Sequence, residues 1–460
     1  MPTAFDAIVI GAGQSGPNLA ARLAGLGRKV LLVEREHLGG TCVNNGCIPT
    51  KSMVASARVA YLARRAADFG VSTGPVSVDM KKVKARKDSI VNDSVRSLTG
   101  WLENMENLTL LRASARFTGP HEVEAGGERY TAKDIFLNTG GRPRVPDWPG
   151  IGEVPYLTNV SMMDLDVLPE HLVIVGGSYI GLEFAQMYRR FGSAVTVLEY
   201  GPRLVSREDP DISDAIADIL RGEGIDIRTN VRDLAFKNLS AGRIGVTGMA
   251  ADDGLISLEG THLLLATGRK PNVEDLDIDK AGLTLDERGY IPVDDQLRTK
   301  VDGIWAMGDV NGHGAFTHTS YNDYEIVATN LLDSDPRRLS DRPVAYNLYI
   351  DPPLGRVGLT EAQVRESGRP ALIATRPMRR VGRAHERGEE QGFMKVLVDA
   401  ETQRVLGASL LGIECDEVIH LFIDNMAAGL PYTAISRTMH IHPTVSELVP
   451  TLLQSLQPLK

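Results

Sequence analysis

Cys42 and Cys47 are separated by four intervening residues within GGTCVNNGCIPTK, the stretch from Gly39 to Lys51. The segment that follows, SMVASARVAYLARRAADF, reads as a helix, so the thiols sit where a loop becomes helical. The positive end of a helix and a nearby Lys51 both favour a thiolate over a thiol. Three readings follow: a redox-active disulfide, half of a zinc site, or two inert thiols. Zinc calls for about four ligands, and only one further cysteine, Cys415, exists in the chain. The glycines beside the pair, downstream of the acid Glu34, weigh against inert thiols.

Thiol exchange also needs a group that gives and takes protons near neutral pH, which imidazole does well. Among ten histidines, His442 is followed by Pro443 and, five positions on, by Glu447. Proline at a helix start and an acid in the first turn are also ordinary capping. His440 and His318 read as packing or substrate contacts. The HIH spacing in a strand puts two rings on one face without completing a metal site. Cys415 reads as structural, and no metal site is expected.

Elements that must position these groups come in a repeated form. Residues 6–10 are a strand running into Gly11, Gly13 and Gly16, then a helix with Pro17 in its first turn, then the strand KVLLVE ending at Glu34. Strand, glycine turn, helix and a terminal acid form a dinucleotide cradle: the turn lets the backbone approach a pyrophosphate and the acid meets a ribose diol. The pattern returns 165 positions later as LVIVGG, Ser178, Gly181, AVTVLE and Glu199. Two nucleotides are implied, and Ser178 replaces the middle glycine. Glu199 should repel a 2′-phosphate, so NADH is expected to be preferred and NADPH possible, with Arg203 and Arg207 close enough to blur the choice.

IFLNTGGRP and LLLATGRKP read as exits from the two nucleotide units, and GIWAMGDV delivers Asp309 at a strand end. The expected architecture is α/β, with two Rossmann-like dinucleotide-binding domains and a C-terminal α+β domain. The first domain spans residues 1–150 and 274–341, the second 151–273 and the third 342–460. The third alternates strands such as GFMKVLVDA and VLGASLLGI with helical DEVIHLFIDNMAAG. A net charge of -9 argues against a nucleic-acid surface. No apolar run approaches the roughly 18 residues of a membrane span, and the chain enters its first strand without a charged leader, so a cytoplasmic protein is expected.

Taken together, GAGQSG with Glu34, GGTCVNNGCIPTK, the repeated Thr-Gly exits, GDV and the terminal HIHPTVSE resemble the class I pyridine nucleotide-disulfide oxidoreductases, which include glutathione reductase, dihydrolipoamide dehydrogenase and mercuric reductase. The resemblance spans nearly the whole chain. It implies that Gly11, Gly13, Ser15, Gly16, Glu34, Gly40, Thr41, Thr139, Gly140, Arg269 and Asp309 hold FAD, with Lys51 at the flavin end. Gly176, Ser178, Tyr179, Gly181, Glu199 and Gly268 would hold the nicotinamide nucleotide. Tyr179 matches a residue that covers the flavin until the nicotinamide displaces it, and Glu183 one that pairs with the lysine. The C-terminal domain would form a homodimer in which His442, oriented by Glu447, reaches the partner's cysteine site. The resemblance makes Cys47 the flavin-side sulfur and Cys42 the one that attacks a small-molecule acceptor.

The acceptor is the open part. A disulfide, a quinone or a metal ion fits the class. The tail LLQSLQPLK lacks the cysteine pair of mercuric reductases, and no metal-binding module is expected ahead of residue 1, so mercury is not expected as the natural substrate. Asn44 and Asn45 make the thiol loop polar, and Arg379, Arg380, Arg383 and Arg387 read as a solvated surface. A second class of function, a flavoprotein thiol sensor that regulates a partner, uses the same residues slowly.

Overall fold

The computed structural model describes residues 1–251 and 254–460. The first apolar run forms the strand Thr3–Ile10, flanked in parallel by Val30–Glu34 and Glu128–Leu137. Leu108–Arg112 extends this sheet on one side and Ile304–Ala306 on the other, both parallel. Parallel strands covered on both faces need continuous apolar runs, and Ile8, Val9, Leu31 and Leu32 are fully buried. Register sets Ile10 opposite Val33 and Leu137, and Ala306 opposite Leu137. Gly11, Glu34, Asn138 and Gly308 therefore emerge at one edge, where open α/β sheets receive ligands.

A second parallel sheet contains Asp226–Arg228, Ala194–Leu198, His171–Val175 and His262–Leu265, in that order. It is interposed before Ile304–Ala306 returns to the first sheet. The two Thr-Gly exits pair with each other, Gly141–Pro143 antiparallel to Arg269–Pro271. The C-terminal part is a six-stranded antiparallel sheet in which Phe393–Asp399 and Val405–Leu411 are neighbours. Cys415 is fully buried in its core beside Phe422.

Cys42 lies in a short helix, Gly40–Asn44, and Cys47 is the first residue of the helix Cys47–Arg64. The helix thus starts four residues ahead of Lys51 rather than after it. It is clamped along its length. Lys51 Nζ meets Glu183 Oε2 at 2.7 Å, and Arg58 forks onto Asp351 at 2.6 Å and Glu389 at 2.8 Å. Arg64 donates to the Arg190 carbonyl. Arg190 stacks 3.8 Å over Tyr61 and pairs with Glu223 at 2.7 Å and Asp351 at 2.5 Å. Buried charges persist only when paired in this way.

Candidate active site

The two glycine turns are built alike, bond for bond. Ala12 N donates to Glu34 Oε2 at 2.7 Å and Glu36 N to Glu34 Oε1 at 2.8 Å. At the positions 165 further on, Gly177 N donates to Glu199 Oε2 and Gly201 N to Glu199 Oε1, both at 2.6 Å. Gly11 and Gly176 hold φ of +102° and +115°, and a Cβ there would stand 2.3 and 2.4 Å from the carbonyls of Asn138 and Ala266. Gly16 and Gly181 let each helix pass over the first glycine of its own turn; a Cβ would lie 2.1 and 2.0 Å from the Gly11 and Gly176 carbonyls. Ser178 precedes the helix Tyr179–Phe191 without capping it. Its φ of -113° is ordinary extended backbone, so the turn accepts a side chain where the first turn has a glycine.

A cavity of about 1160 Å³ runs from the first turn to the thiols. Gly11, Gly13, Glu34, Gly40, Thr41, Thr139, Gly140, Arg269 and Asp309 line it together with Cys42, Cys47, Lys51, Tyr179 and Glu183. An extended dinucleotide with a flavin head fits this outline: glycines at the pyrophosphate position, an acid at the ribose, and thiols with a lysine at the far end. Burial pushes the Asp309 carboxyl above its usual range, opposed by Arg269 at 3.3 Å. Ser15 is fully buried with its hydroxyl bonded to the Ser320 carbonyl at 2.5 Å, and neither it nor Gly16 is among the residues lining the cavity. Gly176, Ser178, Gly181, Glu199 and Gly268 lie outside the cavity lining. Tyr179 is where the second cradle meets it.

The sulfurs are unequal. Cys47 opens the helix, and its N-cap is Gly46, so no side chain occupies the free N–H groups there. The Cys47 thiol is lowered to about 6, chiefly because the Cys42 thiol donates to it, with the Thr317 hydroxyl and Lys51 adding to the effect against burial. That same bond and burial push Cys42 far above the thiol range. Thr317 Oγ1 lies 3.1 Å from Cys47 Sγ. Cys47 therefore stands at the helix end beside the Thr317 hydroxyl, a setting that favours a thiolate on that sulfur over Cys42.

His442 Nδ1 is bonded to Glu447 Oε2 at 2.7 Å. The imidazole is 81% exposed while the Glu447 side chain is 13% exposed, so the acid is fixed and the ring projects. Neither lines the cavity of its own chain. The HIH segment is not a strand, which corrects the geometry expected for it. The chain there is an irregular turn, and His440 Nδ1 is bonded to the Ser446 carbonyl at 2.8 Å instead of facing the same way as His442. His318 bonds the Ala345 carbonyl at 2.7 Å and stacks on Phe316. Arg383 and Arg387 are engaged with Glu386 and Glu414 on the surface. Among the described residues, no group of three or more His, Cys, Asp or Glu side chains is arranged to hold a metal, and no helix is long and apolar enough to cross a membrane.

Several site residues escaped the sequence reading. Asn138 accepts from Gly16 N at 3.0 Å and donates to the Met307 carbonyl at 3.0 Å, stitching turn, exit and Asp309 strand together. Phe316, Thr317, Tyr346 and Tyr349 form the cavity wall opposite the thiols. Asn138 stands in the first Thr-Gly exit, a legible signal. The others have none, because they reach the site only through the packing of distant segments.

Residues 5–324 match the family model described as pyridine nucleotide-disulphide oxidoreductase, and residues 344–453 the dimerisation domain of the same family. The chain is 37% identical over 458 residues to the probable pyridine nucleotide-disulfide oxidoreductase RclA of Escherichia coli (strain K12), covering 96% of this chain and 97% of that protein. It is 33% identical over 443 residues to a dihydrolipoyl dehydrogenase of Thermus scotoductus, covering 96% and 95%. The solved Cu(II) complex of the HOCl-induced flavoprotein disulfide reductase RclA from Escherichia coli superposes with a TM-score of 0.87 at 37% identity, over 98% of this chain and 99% of that one.

Proposed function

The chain belongs to the pyridine nucleotide-disulphide oxidoreductase family, and from that premise we propose that it carries electrons from NADH through FAD and the Cys42–Cys47 pair to a small acceptor. It is a flavin-dependent oxidoreductase that uses FAD and NAD(H). Bound FAD supplies the two-electron relay between the nicotinamide and the disulfide. The observation that carries the reading is the placement of the two sulfurs: Cys47 opens the helix Cys47–Arg64, Cys42 lies just ahead of it, and both line the cavity together with Lys51.

Each of the chain's own groups has a task. The first turn and Glu34 hold the dinucleotide, the second turn and Glu199 hold NADH, and Lys51 with Glu183 keeps a positive charge beside Cys47. Reduction of the disulfide leaves the Cys47 thiolate stabilised by the helix end, Thr317 and Lys51, while Cys42 is freed to attack the acceptor. Proton transfer at Cys42 falls to His442, with Glu447 orienting its ring from Nδ1. Since His442 projects from the surface beside exposed Met439 and Ile441, it is proposed to serve the partner subunit's cysteines in a homodimer. A cycling dithiol fed by NADH suits the reducing cytoplasm.

Among acceptors, a thiophilic metal ion is favoured by the solved relative that binds Cu(II). With no ready-made three-ligand group among the described residues, the ion would be a passing substrate of the two sulfurs. The balance is simple: a dithiol and two Cu(II) ions give the disulfide, two Cu(I) ions and two protons. The test is Cys42→Ser. The variant should bind FAD and accept electrons from NADH but lose turnover with Cu(II), quinones and small disulfides alike. Undiminished turnover with all three would remove the thiols from the mechanism.

A further inference from the structure

Behind Tyr179 is a buried charge whose hydrogen bonds serve no other purpose. Glu208 Oε1 accepts from Tyr179 Oη at 3.0 Å and from Tyr346 Oη at 2.7 Å. The Glu208 and Arg356 side chains are 1% and 2% exposed, and Arg356 Nε stands 3.5 Å from Glu208 Oε2. Neither of those two atoms has an aligned hydrogen bond among the described residues. The directional bonds of this carboxylate therefore go to two phenols in the cavity wall, while the guanidinium balances its charge and donates instead to the Val357 and Ala408 carbonyls. Burying such a pair is costly, and stability alone is a weak reason to keep it. Burial, with the carboxylate nearby, raises both phenols above their usual range, Tyr346 to about 12, so both are donors at working pH.

The loop that carries Glu208 is also tied to the second cradle. Val205 has φ of +42°, a strained conformation for a β-branched residue, and its N–H donates to the Gly177 carbonyl at 2.9 Å. Glu208 N in turn donates to the Val205 carbonyl at 2.8 Å. Asp209 beyond it accepts from Glu361 N at 2.9 Å and Ala362 N at 3.1 Å, which pins the loop to the C-terminal part. Glu208 thus hangs from a fixed support.

We propose that Glu208 is a positioning residue that latches Tyr179 across the passage between the second nucleotide cradle and the thiol-bearing cavity. This rests on the electron path proposed above. The cradle's glycines and Glu199 lie outside the cavity lining, and Tyr179, the first residue of the helix that follows them, lines it, so on the electron path proposed above a nicotinamide held by that cradle has to pass the tyrosine to reach the flavin end. Entry requires the phenol to leave its charged acceptor. The latch sets an energetic threshold for nicotinamide binding and keeps the flavin end covered between turnovers.

The test uses the FAD-loaded enzyme and the non-reducing ligand NAD+, with affinity measured by calorimetry. Glu208→Gln and Tyr179→Phe should each tighten NAD+ about tenfold, the scale of one hydrogen bond to a charged acceptor. The double variant should bind no tighter than Tyr179→Phe alone, because Glu208→Gln weakens the bond that Tyr179→Phe removes. Flavin fluorescence should shift in both variants. Tyr179→Phe leaves the Glu208–Arg356 pair whole and decides the matter alone if Glu208→Gln does not fold. Unchanged NAD+ affinity in Tyr179→Phe, or effects that add fully in the double variant, would overturn the latch. A wild-type flavin that NADH does not reduce would instead overturn the electron path itself.

Discussion

Lys51 Nζ lies 2.7 Å from Glu183 Oε2, joining the helix that Cys47 opens to the helix that the second glycine turn opens. One ion pair thus connects the element that presents sulfur to the element that follows the second nucleotide cradle. Glu183 is mostly buried and its other oxygen accepts from Tyr349 N at 3.0 Å, so the acid is the fixed partner and the lysine is held by it. Tyr349 completes the setting with its ring 4.6 Å from the ammonium.

Removing that ammonium should therefore change the sulfur. In Lys51→Met the reduced enzyme loses the positive charge and keeps the carboxylate. The Cys47 titration, lowered to about 6 in the parent, should move up by about one pH unit. Thiolate absorbance and the pH dependence of alkylation both read this directly. A midpoint that stays in place would mean that Cys42, Thr317 and the helix end do all the lowering.

The same depression makes the stability of the reduced enzyme depend on pH. A thiol whose folded value of about 6 lies below its unfolded value of about 8.5 stabilises the fold fully above the unfolded value. It loses that contribution as pH falls through the folded one. Relative to Cys47→Ser, the melting temperature of the dithiol enzyme should climb between these two values. At higher pH the elevated Cys42 works in the opposite direction.

The twin turns allow the two nucleotides to be removed separately. Gly11→Ala drives a Cβ into the Asn138 carbonyl and should yield protein that purifies without flavin, visible in its absorbance spectrum. Gly176→Ala makes the equivalent collision with the Ala266 carbonyl and should retain flavin while losing reduction by NADH. In the unaltered enzyme kcat/KM should favour NADH over NADPH by about tenfold or more, the size of one hydrogen bond lost at the ribose. Arg203 pairs with Asp214 at 3.0 Å, which leaves it poorly placed to welcome a 2′-phosphate.

Much of this site was legible because its parts are local. Gly11, Gly16 and Glu34 declare a cradle through spacing that one turn and one strand enforce, and Gly176, Gly181 and Glu199 repeat it. The cysteine pair carries its own context in GGTCVNNGCIPTK. Glu208, Thr317 and Tyr346 carry none: each is an ordinary residue made functional by contact with a segment far away in the chain. Thr317 meets Cys47 across 270 positions, and Tyr346 meets Glu208 across 138. The Cys47 helix begins earlier than the stretch from Ser52 suggests, and it accommodates Pro49 because in the first turn a missing N–H has no partner to lose.

The clamps along the Cys47–Arg64 helix have a mechanical meaning. Glu183, Asp351 and Glu389 grip it from two different neighbouring bodies, so it behaves as a strut shared by the framework rather than a lever within one part of it. A strut held at several points cannot tilt without dragging its supports. The movements that the proposed cycle calls for are accordingly those of light parts, a phenol ring or a projecting imidazole, swinging against this anchored helix.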